Sequence, residues 1–392
     1  MRLRIAACAV ALIFAGPFLL PSAAAAAPSA TLAPARLSAG VITAAAPFRF
    51  DALQGVSCPA ANMCMAVGQG TQMLAERWNG HRWSLTHPPL PAGATFGTLT
   101  AVSCTSPRAC TAVGAAAIPG MGSGALAERW NGSSWHVQPM PSPVHEGIPL
   151  GAVSCASATS CTAVGNYDFG ATTNTSFGML AEHWNGRRWR IQSLPPVGNP
   201  GADLTSVSCH RSACTAAGYF IHQEDGSVIS PLALRWNGAR WRVQPTPGAM
   251  SDSGGLQGLS CASTRQCIAV GASGLHGSLA LRWDGATWRR QRNPQNGLIA
   301  VSCPSSTACI AVGAGPVGSA SAQLWNGATW TVQRVPIVAG ALDFPFTAVS
   351  CSSASHCTAV GSATIRRNTL AFAERWNGRR WVLQAPLNPP PG

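Results

Sequence analysis

Lysine is absent from this 392-residue chain, and all 26 of its basic residues are arginine. Tyrosine occurs twice, acids number 13, and charged residues are only 10% of the total. So little charge excludes a disordered chain kept open by its own repulsion. The arginine bias accompanies abundant alanine, as a GC-rich coding preference would produce, so arginine content alone is no sign of a binding role. Beyond residue 27 no apolar run approaches the 18 or so residues of a membrane-spanning helix. No H-x-x-x-H, G-x-S-x-G or phosphate loop occurs, and no cysteine pair has C-x-x-C spacing. These absences leave no read-out of zinc, serine-hydrolase or nucleotide chemistry, and neither a metal nor a cofactor is expected.

What the chain does contain is repetition. Leu99 to Gln138 reads LTAVSC, a short loop, CTAVG, a longer loop, LAERW, NGSS and WHVQ. Those four strand-length runs return seven times, at intervals of roughly 42 to 54 residues. Four strands per repeat of that size mark a propeller blade, and a ring of such blades makes one domain of the whole length. The expected fold is all-β: a seven-bladed β-propeller of four-stranded antiparallel blades over residues 51–386. Residues 1–27 read as an export signal, with Arg2 and Arg4 before the apolar run Ile5–Leu20 and small residues at Ala23–Ala27. An Ala/Pro/Ser-rich lead fills 28–50, and 387–392 is a Pro-rich tail.

Fourteen of the fifteen cysteines fall into local pairs. They are Cys58 with Cys64, Cys104 with Cys110, Cys155 with Cys161, Cys209 with Cys214, Cys261 with Cys267, Cys303 with Cys309, and Cys351 with Cys357. Export to an oxidising compartment makes these one short-range disulfide per blade, each worth roughly 2 kcal/mol by chain entropy. Serine precedes the first cysteine in all seven copies, and a small residue lies two further back. Small side chains suit an inner strand crowded round a central channel. Phe48-Arg49-Phe50 is placed to add a strand to the last blade. All fourteen tryptophans fall in the frame W-[ND]-G-x-x-W. Asn-Gly signals a tight hairpin with both residues at positive φ. One tryptophan pair per blade at identical positions reads as core packing rather than as sugar-stacking platforms.

This repeat resembles the blades of Asp-box (bacterial neuraminidase-type) and kelch-like propellers, and repeat proteins exported by high-GC bacteria. The Asp-box pattern is approached best by Asp284-Gly285-Ala286-Thr287-Trp288. The resemblance implies a motif on the turn between third and fourth strands and carries no activity with it.

Strand alternation puts the cysteine loops and W-N-G turns on one rim and the longer, variable loops on the other. Rigid scaffolds usually carry function on variable loops. The richest candidates there are Tyr167, Asp168 and Phe169 in blade three, and Tyr219, Phe220, His222, Glu224 and Asp225 in blade four. The two tyrosines read as near-equivalent places in neighbouring blades. A second candidate surface is a cationic rim: Arg187, Arg188, Arg190, Arg240, Arg242, Arg289, Arg290, Arg379 and Arg380. Glu76, Glu128, Glu182 and Glu374 recur at one strand position and read as partners for neighbouring arginines. Together these features favour a secreted, monomeric, non-catalytic binding scaffold for an extracellular glycan, an anionic wall polymer or a protein. Specific nucleic-acid binding is not expected, since the tryptophans beside the arginines are committed to packing. The competing reading is a neuraminidase-like glycoside hydrolase or lyase working at the variable rim, with Tyr219 and Glu224 in the machinery.

Overall fold

The computed structural model describes residues 50–120, 122–141, 147, 149–168, 177–197, 201–221, 228–247, 254–273, 277–293 and 297–384, with Asp168 in backbone only. The expected leader, nearly all of the lead and the Pro-rich tail lie outside the described residues, as do Phe48 and Arg49. Seven four-stranded antiparallel sheets follow one another, each with its strands in sequence order. In blade one these are Ala52–Ala60, Met63–Gln69, Met73–Trp78 and Trp83–Thr86. The only helical turn among the described residues is Pro316–Gly318.

Seven disulfides form, one per blade, each joining the inner strand to the second across the hairpin. The pairing is the one expected from spacing. Cys58 bonds to Cys64, Cys104 to Cys110, Cys155 to Cys161, and Cys209 to Cys214. Cys261 bonds to Cys267, Cys303 to Cys309, and Cys351 to Cys357. In each pair the second cysteine is the more deeply placed. Cys64, Cys110, Cys161, Cys214, Cys267, Cys309 and Cys357 are all buried, so every staple is anchored in the core.

Each seam between blades holds its own apolar cluster. In most seams one side is lined by smaller residues than the other, although blade one presents Met63, Met65 and Met73 to blade two. At the seam of blades two and three, for example, Val113 and Ala127 of one meet Leu150, Leu180 and Trp189 of the next. The tryptophans are core, as expected: the two in each blade pair at 5.5–6.0 Å with tilted rings. In three seams a glutamine at the end of the outer strand finds a partner across the seam. The indoles of Trp189, Trp241 and Trp288 donate to Gln138, Gln192 and Gln244 of the preceding blade at 3.0–3.1 Å.

The invariant serine explains itself in the same way. Its hydroxyl oxygen accepts the backbone N–H of the first cysteine of the next blade, at 2.9–3.0 Å, in all seven seams. One of these bonds runs from Cys58 of blade one to Ser350 of blade seven, so the ring is closed. No strand is exchanged to close it among the described residues. Phe50, the one described residue of the Phe48-Arg49-Phe50 segment, makes a parallel bridge to Thr369 of blade seven. Arg375 seals the same seam, donating to the Ala61 carbonyl at 2.6 Å with its guanidinium 5.0 Å from the Trp78 ring.

The C-x-A-[VA]-G glycine ending each second-strand motif is required by close approach, not by its φ. A Cβ on Gly165 would overlap the Pro149 carbonyl oxygen, and the six equivalent glycines meet an inner-strand carbonyl likewise. The inner strand shifts register at this point in every blade, as at Val164/Gly165.

Candidate functional site

The W-N-G turn differs from the expected two-residue hairpin. Trp78 pairs with Trp83, so the loop is four residues long, and only its glycine has positive φ (Gly80, +98°). The asparagine instead uses its side chain: Asn79 Oδ1 accepts the N–H groups of His81 and Arg82. Asp284 does the same for Ala286 and Thr287, and its second oxygen meets Arg289 Nε at 3.1 Å. Those backbone N–H bonds chiefly, with Arg289 adding, pull its carboxyl down to about 2. In every blade but the fourth the turn's glycine packs on the cysteine loop of its own blade, as Gly186 does on Thr159, so both hairpins share one rim.

All nine arginines of the expected cationic rim are exposed. Arg187, Arg188, Arg240, Arg379 and Arg380 ride on the four-residue turns, while Arg190, Arg242, Arg289 and Arg290 lie on outer strands. The arginines that cover tryptophan are others. Arg235 donates to the Thr264 carbonyl of the next blade with its guanidinium 5.8 Å from Trp283, repeating the Arg375 arrangement.

On the variable rim the two tyrosines are not equivalent. Tyr167 stands six residues after its blade's second cysteine and Tyr219 only five, so they leave their strands on opposite faces. Tyr167 packs against the core between blades two and three, over Gly178. Tyr219 lies against Gly255 of blade five and meets Phe177 of blade three edge-on, with centroids 6.4 Å apart. Asp203, its cross-strand neighbour, accepts a hydrogen bond from the Asn166 side chain. Burial raises the Asp203 carboxyl above its ordinary range, against the lowering pull of the Leu204 N–H and Asn166. Burial, and then the Asp203 charge, raise the Tyr219 phenol. Asn166, Phe177, Asp203 and Tyr219 are thus brought together. Sequence reasoning misses Asp203 because it sits within an inner strand, where nothing in its neighbours marks it. Phe220 packs into the seam of blades three and four. Phe169, His222, Glu224 and Asp225, and the side chain of Asp168, lie outside the described residues.

Three of the four recurring glutamates are not partners of arginines. Glu128, Glu182 and Glu374 are 0% exposed, and neither carboxyl oxygen of any of them has a hydrogen-bond partner. They face the neighbouring blade from the third strand, beneath an outer-strand aliphatic: Val137 pairs with Glu128, Ile191 with Glu182 and Leu383 with Glu374. Burial alone pushes each carboxyl from an ordinary 4.5 up to about 8. Glu76 holds the same position with 0% exposure, Gln323 replaces it in blade six, and Leu234 and Leu281 in blades four and five. The matching arginines point to the other face of the strand, because adjacent residues alternate sides.

Two hollows open at the seams and edges. One of about 390 Å³, between blades one and two, is lined by Thr71, Gln72, Met73, Pro88, Leu90, Thr95, Phe96 and Gly97. It has no charged wall, and Phe96 and Leu90 stand 48% and 44% exposed. The other, of about 550 Å³, lies on blade five among Ser278, Arg290, Gln291, Arg292 and Asn293. Among the described residues no three potential metal ligands cluster, and no helix is long and apolar enough to cross a membrane.

No family model matches the chain, and no curated protein matches it. Solved structures do. An ulvan lyase, a polysaccharide lyase solved bound to -[GlcA(1-4)Rha3S]-, superposes with a TM-score of 0.55 at 9% identity, over 83% of this chain and 92% of its own. The WD40 propeller domain of Doa1 gives 0.53 at 12% identity, over 84% and 94%. YCF48 from Cyanidioschyzon merolae gives 0.50 at 13% identity, over 83% and 95%. At such identities the likeness is one of architecture: this chain shares the β-propeller fold of these proteins.

Proposed function

We propose that the protein is a secreted binding scaffold that holds a glycan at its variable-loop rim without catalysing a reaction. The observation that carries this is the uncharged hollow between blades one and two. Its volume falls in the range of small-molecule sites, and it combines an exposed aromatic face, Phe96, with hydroxyl and amide groups from Thr71, Gln72 and Thr95. Apolar face plus a few polar groups is the wall chemistry a sugar ring requires. One disulfide in each of seven short hairpins supports export to an oxidising compartment. Placement of the recurring glutamates inside sealed seams supports binding over hydrolysis, since a substrate has no path to them. The test is a glycan array read with the disulfide-intact protein and its Phe96→Ala variant. At least one neutral glycan should be retained and lose tenfold or more in affinity on the substitution, with Tm unchanged. Retention of no glycan, or binding indifferent to Phe96, refutes the reading.

A further inference from the structure

Blade five departs from the other six along its outer edge. Two residues after the second tryptophan every other blade has Leu, Val or Ile, and blade five has Arg290. Its cross-strand partner is Leu281, at the position where four blades carry a buried glutamate. One step along, Arg289 lies directly opposite Arg282, as Arg242 lies opposite Arg235 in blade four, a pairing of like charges that costs stability. Asp284 holds Arg289 at 3.1 Å, yet Arg289 remains 74% exposed. Arg292 follows two residues later, exposed in its turn.

These side chains border concave space. Arg290 and Arg292 line the 550 Å³ hollow with Ser278, Gln291 and Asn293. Arg282, Asp284, Arg289 and Gln291 line a second, of about 230 Å³. Gln291 belongs to both, so the two adjoin. The Asn293 amide donates to the Ser278 hydroxyl and ties the linker after the outer strand to the loop before the third strand. From Arg289 to Asn293 an extended chain covers about 13 Å, which is longer than one sugar ring. Guanidinium forks on such a track bind carboxylate or sulfate oxygens in pairs, and the amide of Gln291 between them can meet a hydroxyl.

From this geometry we infer that the outer edge of blade five is a binding site for an anionic polysaccharide, with Arg290 and Arg292 as its main contacts. The inference rests on the reading of the protein as a glycan-binding scaffold and adds a second ligand class at a second place. Its test measures binding of a polyuronate, a sulfated glycan, neutral dextran and duplex DNA at about 50 and about 200 mM salt, a span over which diffuse charge attraction falls steeply. The unsubstituted protein is compared with Arg290→Gln/Arg292→Gln and with Arg187→Gln/Arg188→Gln as a charge-matched control on blade three. At least one of the two acidic glycans should bind, weakening with salt, and lose tenfold or more with the blade-five pair but less than threefold with the control pair. Equal losses from the two pairs would mean diffuse attraction to net charge and overturn the site. So would DNA held as tightly as the acidic glycans, or no acidic glycan held at all. Each of these leaves the neutral hollow at Phe96 untouched, so failure here is distinguishable from failure of the scaffold reading.

Discussion

Three carboxyl groups without partners, each sealed in a different seam, make the stability of the ring depend on pH in an unusual direction. In the folded ring Glu128, Glu182 and Glu374 keep their protons up to about pH 8, whereas in an unfolded chain they lose them near 4.5. The folded state therefore binds more protons across that window. Its stability is fully present below about pH 4.5 and is lost as the pH rises towards 8. Each pH unit within the window costs about 1.4 kcal/mol per glutamate, which gives a ceiling of about 5 kcal/mol apiece. Even a quarter of that ceiling at three separate seams amounts to about 4 kcal/mol, or some 8–15 °C in Tm on the scale for large domains. His183, held low by burial, acts the opposite way below about pH 6.5, so the comparison must be with a variant rather than with pH alone. Differential scanning calorimetry from pH 5 to 8 under non-reducing conditions, on the natural sequence and on Glu128→Gln/Glu182→Gln/Glu374→Gln, makes that comparison. The natural sequence should melt highest at the acid end. The triple variant should have a flatter profile and match or exceed it at pH 8, since blade six already carries Gln323 at this position. A natural profile that is flat or rises from pH 5 to 8, or a triple variant equally steep, would refute the reasoning.

Three further outcomes concern the seams and the inner strand. Ser154→Ala removes the acceptor of the Cys209 N–H and should cost about 1–2 kcal/mol, seen as a lower Tm with all disulfides intact; Gly165→Ala should cost more, because its Cβ meets fixed backbone. Arg375→Ala deletes a hydrogen bond and a ring contact at the closing seam and should speed limited proteolysis there, with Arg375→Lys intermediate because it keeps charge without the planar fork.

The architecture is readable because it is written seven times over. Cysteine pairs and tryptophan pairs count the blades independently, and both depend on local spacing that a single chain displays. What stays hidden is whatever acts between repeats. The serine before each cysteine is plain in the sequence, but its partner is about fifty residues away, and only the ring brings the two together. The glutamates mislead because each lies next to an arginine or histidine in sequence, while strand alternation sends the two side chains into different seams. Tyr167 and Tyr219 look parallel for a related reason: both follow the second-strand glycine, but Asn166 intervenes in blade three only, and a displacement of one residue turns a side chain to the opposite face. The blade-five hollows come from residues on the third strand, the outer strand and the flanking loops, so only Asp284, Arg289 and Arg290 among their walls stand out in the sequence.

The serine bonds also have a sense of rotation. Every blade offers an acceptor to its successor and a donor to its predecessor, and the seam between blades seven and one uses the same pair as the other six. A blade therefore behaves like a subunit in a head-to-tail ring of cyclic symmetry, with the connecting peptides as tethers rather than as parts of the interface. No seam is privileged by its serine bond. A circular permutant opened in any linker between blades, with the old ends joined by a flexible segment, should close into the same ring.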